Sequence, residues 1–226
     1  MYNIEHQLYA ETTFFIKIWR KVTIISFTDI IISLIRSKTI TGREKEKDLL
    51  EGVYDSGKSE FVALYGRRRI GKTFLVREMF KDEFVFYASG ILEGNAGSQL
   101  DSFNRDLKDY GYDGDVCHTW MDAFAGLKDI LTKCNNRNRS VVFIDELPCF
   151  DTYDSNFLPA LDWFWNTFGS ARSDVIFIVR GSSTSWMLNK LLNNKKGLYN
   201  CLTRIIYLRP FKLRGVELFA LANKSY

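Results

Sequence analysis

The chain has 226 residues, 46% of them hydrophobic and 26% charged, with a formal net charge of +4. That is ordinary for one mid-sized globular domain with a full core and room for a short appendage, and so mild a positive charge permits a nucleic-acid or anionic-membrane partner without specifying one. The four cysteines (Cys117, Cys134, Cys149, Cys201) have no metal-ligand spacing and the two histidines (His6, His118) have no companion ligands, which argues against a zinc centre or a histidine-activated nucleophile and for reduced thiols in a cytoplasmic protein.

Residues 1–38 form an N-terminal extension of unknown role. The apolar run at 22–35 is interrupted by Asp29 and falls short of the roughly 20 residues a spanning helix needs, so no membrane span is expected. Lys17, Arg20 and Lys21 precede it in the manner of a signal sequence, but no small-residue cleavage site follows. The extension reads equally as a helix packed on the domain or as a segment with no part in the fold. A turn at Gly42 then leads into a charged helix over 45–53, with Leu49, Leu50 and Val53 on the face that covers the core.

Two stretches satisfy the phosphate-loop pattern G-x-x-x-x-G-K-[ST]. Gly52-Val-Tyr-Asp-Ser-Gly-Lys-Ser59 follows a charged helical stretch and ends in a turn, the wrong context. Gly66-Arg-Arg-Arg-Ile-Gly-Lys-Thr73 follows the short apolar run 61–65 and opens a helix at Lys72, the strand–loop–helix context that the pattern requires. Glycines let such a loop curl its amide N–H groups into one concavity, and the helix N-terminus adds its dipole. Lys72 is then expected to reach the β- and γ-phosphates, and Thr73 to hold a magnesium ion that bridges them.

A second strand is expected at 84–87, a helix over 98–110 stopped by Gly111, and a capping box from Thr119 and Asp122 ahead of a helix that buries Trp120, Phe124, Leu127, Leu131 and Cys134. Residues 140–144 are an almost wholly apolar run, as a central parallel strand demands, and they end in Asp145-Glu146. Asp145 is placed on the metal and Glu146 as the base that polarises the attacking water. Phe157, Leu161, Phe164 and Phe168 recur at helical spacing, with Leu158 and Trp165 beside them and Trp163 offered outward as a possible partner surface. Another buried strand, 174–179, runs into Arg180-Gly-Ser-Ser-Thr184. Ser182 and Ser183 are candidate sensors of the nucleotide state there, or equally caps for a helix over 185–192. Residues 204–208 read as the last strand, Pro210 breaks it, and 212–221 begin a helix.

This alternation gives an α/β three-layer sandwich with a parallel sheet and its ligand at the carboxyl edge. The adjacent acids favour a nucleotide hydrolase over a small-molecule kinase, whose nucleophile is its own substrate. The order of Gly66–Thr73, Phe143-Ile-Asp-Glu-Leu-Pro148, Gly181-Ser-Ser-Thr-Ser-Trp186, Gly197-Leu-Tyr-Asn200 and Leu208-Arg-Pro-Phe211 resembles the archaeal and bacterial AAA-type P-loop ATPases related to the STAND regulators, from about Thr39 onward. The resemblance implies strand order 5-1-4-3-2 and a phosphate-loop signature that includes Arg67, Arg68 and Arg69, so that Gly66, Ile70, Gly71, Lys72, Thr73 and Phe74 line the nucleotide with them. It places Ile40 and Arg43 near the adenine.

Further implications follow from the same resemblance. The core would cover 39–208, and 209–226 would begin a helical lid that relatives continue into winged-helix-like and nuclease-like regions. Many relatives carry arginine where this chain has Cys201, which leaves a cis-acting arginine there in question. The expectation is an ATP-binding, magnesium-dependent ATPase module that acts as a nucleotide-driven switch on an unknown protein partner. The alternatives are a non-hydrolysing, nucleotide-gated interaction module, or a DNA-associated regulator or processing ATPase.

Overall fold

The computed structural model describes residues 42–80, 83–134, 139–153, 155–193 and 197–211. The expectations for the N-terminal extension, for Ile40 and for the helix after Phe211 lie outside these residues.

Five strands form one wholly parallel sheet, β1 (Glu60–Tyr65), β2 (Phe84–Ser89), β3 (Ser140–Asp145), β4 (Val175–Gly181) and β5 (Arg204–Tyr207), in the order β2-β3-β4-β1-β5. This is the 5-1-4-3-2 order, read from the other edge. Helix α1 (Glu44–Tyr54) precedes β1, and the crossovers that parallel neighbours need carry α2 (Lys72–Phe80), α3 (Ala96–Asp109), α4 (Trp120–Lys133) and α5 (Phe157–Thr167) between β1 and β4. The three central strands are apolar on both faces because both faces are covered. Phe61, Ala63, Val142, Ile144, Phe177 and Val179 share one core cluster with Phe103, Phe124 and Phe164 of α3, α4 and α5. The alternate residues Val62, Leu64, Val141, Phe143, Ile176 and Ile178 are equally buried outside that cluster, so by the two-residue period of a strand they face the other side. At the edge, β5 buries only Ile206 of its four residues.

Register decides what meets at the carboxyl edge. Ile144 pairs with Val179, Leu64 with Arg180 and Tyr65 with Gly181, so β1, β3 and β4 end together and the loops after them converge.

Local chemistry holds the elements in place. Thr119 caps α4 by accepting from the Asp122 amide at 3.1 Å, while the Asp122 carboxylate accepts from the Thr119 amide at 3.1 Å. Gly111, at φ +88°, stops the chain behind α3. The first phosphate-loop match lacks the strand–loop–helix context, because Gly52 lies inside α1 and the turn over 55–58 leads through Ser59, its hydroxyl on the Arg172 carbonyl, into a strand rather than a helix.

Four expectations change in detail. Leu49 is exposed, and the buried face of α1 is Lys47, Leu50 and Val53; three-residue steps follow the 3.6-residue period, whereas adjacent leucines cannot share its centre. Cys134 is half-buried at the C-cap of α4. Phe168 lies beyond the last turn of α5 as its C-cap. The segment after Ser183 is a single α-turn, Thr184–Trp186, that widens into a π-helical stretch, Met187–Leu192, and the Ser183 hydroxyl caps nothing.

Candidate nucleotide site

The phosphate loop leaves β1 at Gly66 (φ +146°), passes Arg69 in the left-handed region (φ 62°) and enters α2 through Gly71 (φ +83°). A Cβ at Gly66 would stand 2.3 Å from the Leu208 carbonyl oxygen, so only glycine lets the loop turn under the chain leaving β5. Arg67, Arg68 and Arg69 direct their side chains to solvent, and Phe74 is half exposed one turn into the helix. Ile70 presents its carbonyl to Arg43, whose guanidinium also donates to the Arg209 carbonyl at 2.6 Å and lies 4.0 Å from the Phe211 ring centroid. Arg43 therefore ties the back of the loop to the segment that follows β5.

Lys72 is only 2% exposed and curls back across the loop, its Nζ donating to the Gly66 carbonyl at 2.8 Å and to that of Arg67. Burial first, and the nearby Arg180 cation second, bring its ammonium down to a pKa of about 8. Thr73, next on the helix, donates its hydroxyl to Asp145 Oδ2 at 2.8 Å across from the end of β3. The helix opening and the central strand thus bring together two residues 72 positions apart.

At the end of β3 the backbone breaks into the left-handed region at Glu146 (φ 49°, ψ 47°) and continues as a 3-10 turn, Leu147–Cys149, with Pro148 inside it. The turn aims the Glu146 carboxylate along the edge of the sheet. Oε2 accepts from the Ser182 amide at 3.1 Å and from the Ser182 hydroxyl at 2.8 Å. Oε1 lies 2.7 Å from an Arg180 NH1 that also donates to Asp145 Oδ1 at 2.6 Å. The structure therefore brings Ser182 into the carboxylate group, whereas Ser183 is exposed outside it.

Arg180 is the site residue that sequence reasoning left unassigned. Its signal was present: a charged residue at the end of the apolar run Val175–Val179, on a strand that pairs with both the phosphate-loop strand and the Asp145 strand. The implied strand order sets β4 beside β3, but which acid that charge meets is decided by side-chain geometry that residue type does not carry.

The donor set suits magnesium. Thr73 Oγ1 and Asp145 Oδ2 are hard oxygen ligands already at contact distance. No group of three or more His, Cys, Asp or Glu that could hold an ion gathers among the described residues. The cation this pair fits is one that keeps several waters and takes its other ligands from phosphate oxygens. Chemically, the arrangement offers amide and ammonium donors for an anion, two oxygens for a cation, and a carboxylate beside them able to accept a proton. Among the described residues no helix is long and apolar enough to cross a membrane.

Comparison with known proteins bears on the family and the fold. A 29% identical relative, an uncharacterised protein of Methanocaldococcus jannaschii, aligns over 185 residues, 78% of this chain and 37% of its own length. The ORC2 protein of Aeropyrum pernix, solved in ADPNP–ADP complexes, superposes with a TM-score of 0.60 at 20% identity over 81% of this chain and 52% of its own. A Walker-type ATPase of Pyrococcus abyssi does so with a TM-score of 0.58 at 16% identity over 84% and 60%. The chain thus spans little more than a third of that M. jannaschii relative and somewhat over half of the two solved proteins. At such identities the structural likeness shows the fold alone, a P-loop ATPase fold. The family described as an ATPase domain predominantly from Archaea matches residues 40–220, well over half of the sequence, and the chain belongs to that family.

Proposed function

We propose that this chain is the magnesium-dependent ATP hydrolase module of a nucleotide-driven conformational switch that works in the cytoplasm. The observation that carries the proposal is the convergence of Lys72, Thr73, Asp145, Glu146 and Ser182 on one edge of the sheet, through contacts of 2.8 Å between Thr73 and Asp145 and between Ser182 and Glu146.

In this reading the loop amides from Gly66 to Thr73 bind the phosphates. Lys72 moves its ammonium from the loop carbonyls to the β- and γ-oxygens. Thr73 and Asp145 would hold a magnesium ion, which would supply positive charge against the phosphates. Glu146 orients a water and takes its proton at Oε1 or Oε2. Ser182, bonded to Glu146, couples the state of that carboxylate to β4 and the π-helical segment behind it. Arg43 steadies the loop through the Ile70 carbonyl.

A second reading has its own observation. Both Glu146 oxygens are engaged, one by Arg180 and one by Ser182, which suits a module that binds nucleotide and signals without turning it over.

One set of variants separates the readings. Calorimetry is expected to show magnesium-dependent ATP binding in wild type that Lys72→Ala abolishes. Glu146→Gln is expected to bind as wild type while phosphate release falls about 10²- to 10⁴-fold, the usual contribution of a positioned base. Wild-type phosphate release no greater than that of Lys72→Ala would favour the non-hydrolysing reading, and wild-type turnover in Glu146→Gln would remove the base assignment.

A further inference from the structure

The carboxylate pair at the end of β3 needs a cation, and Lys72 does not provide it, since its Nζ is engaged by the carbonyls of Gly66 and Arg67. Arg180 does. Its NH1 sits 2.6 Å from Asp145 Oδ1 and 2.7 Å from Glu146 Oε1, and its side chain is 11% exposed. Among the described residues it is the cation whose ion pairs reach both acids. The contacts that the structure gives its guanidinium go to these two carboxylates.

We propose that Arg180 is a positioning residue, the internal counter-ion of Asp145 and Glu146, which holds both carboxylates in a resting arrangement until a divalent cation displaces it. The inference rests on the reading above that Thr73 and Asp145 hold the metal. Asp145 has two oxygens. One faces Thr73 and the other is occupied by Arg180, so a divalent ion brought to this carboxylate meets a guanidinium already in hydrogen-bond contact with it. Like charges at that separation in a partly buried site repel strongly. The nucleotide-free protein is therefore set to reject metal, and cation and nucleotide enter together. The same displacement frees Glu146 Oε1, which Arg180 otherwise holds, so that metal entry and release of the base become one event.

The test needs no nucleotide. Mn²⁺ is titrated into the nucleotide-free protein and followed by the loss of free-ion signal in electron paramagnetic resonance. Arg180→Met, which keeps the length and removes the charge, is expected to bind Mn²⁺ at least about tenfold more tightly than wild type. Arg180→Lys, which keeps the charge, is expected to stay near wild type, and Asp145→Asn added to Arg180→Met is expected to cancel the gain. If Arg180→Met does not fold, Arg180→Gln carries the same expectation with a polar side chain. Unchanged Mn²⁺ affinity in the neutral variants overturns the proposal, as does a gain that survives Asp145→Asn. A merely structural arginine would lower the unfolding midpoint on replacement without moving this affinity. Tightened Mn²⁺ binding in a protein that fails to bind ATP would sustain the counter-ion and reject the ATPase reading; ATP binding with unmoved Mn²⁺ affinity would do the reverse.

Discussion

Gly66 and Gly52 occupy the same place in two copies of one sequence pattern, and the backbone gives them opposite requirements. Gly66 lies at φ +146° with its missing Cβ 2.3 Å from a carbonyl oxygen, whereas Gly52 sits in helix α1 with nothing within 4 Å. Gly66→Ala is therefore expected to lower stability by about 1–3 kcal/mol, the usual cost of a forced backbone conformation. Gly52→Ala is expected to raise it by about 0.5–1 kcal/mol through helix propensity. Urea denaturation of both variants checks the contrast, and a Gly66→Ala protein as stable as wild type would reject the close approach to Leu208. The pattern alone could not separate the two glycines, and the strand before Gly66 could. Glu146 and Ser182 are legible in the same way, as polar residues where apolar strands end. Arg180 was not, because a lone charge acquires meaning only from the partner opposite it.

At the scale of the element, α3 carries an acid in an unfavourable place. Burial, and the neighbouring Asp109 charge after it, push Asp106 up to a pKa of about 6 from the ordinary 3.8. The sign follows directly. Between about pH 4 and 6 the folded state holds a proton that the unfolded chain has released, so this group makes stability fall as pH rises through that window, and the loss is complete above pH 6. Asp106→Asn is expected to raise the unfolding midpoint at pH 7 by a few degrees and to leave it nearly unchanged at pH 4. A gain equal at both values would show that the charge is not the cause. The elements themselves were mostly readable: the capping box at Thr119 and Asp122 and the glycine stop at Gly111 both stand where their residue types placed them. The π-helical stretch Met187–Leu192 was not readable. Its apolar spacing resembles that of an α-helix, and the wider turn leaves no mark in residue type.

For the whole molecule, the sheet depends on Phe177 in the middle of β4. Its ring lies 5.2 Å from Phe61, 5.7 Å from Phe164 and 6.3 Å from Trp165, joining two strands to α5. Phe177→Ala is expected to cost about 3–5 kcal/mol, a large part of the 5–15 kcal/mol typical of a folded domain. That would lower a thermal midpoint by on the order of 10 °C; a drop of only one or two degrees would mean that the core repacks around the gap. The sequence by itself determined the class of fold, and it set the Gly66–Thr73 loop and the acids Asp145 and Glu146 at the ends of β1 and β3. Strands buried on both faces must be apolar throughout, and phosphate loops must have glycine where a side chain would collide. The place of β4 between β1 and β3 was implied by the family resemblance; tertiary structure alone decided that the Arg180 guanidinium bridges Asp145 and Glu146 and that Ser182 bonds the Glu146 carboxylate. Which side chains meet across neighbouring strand ends is settled by how helices and sheet pack together, and no local run of residues carries that information.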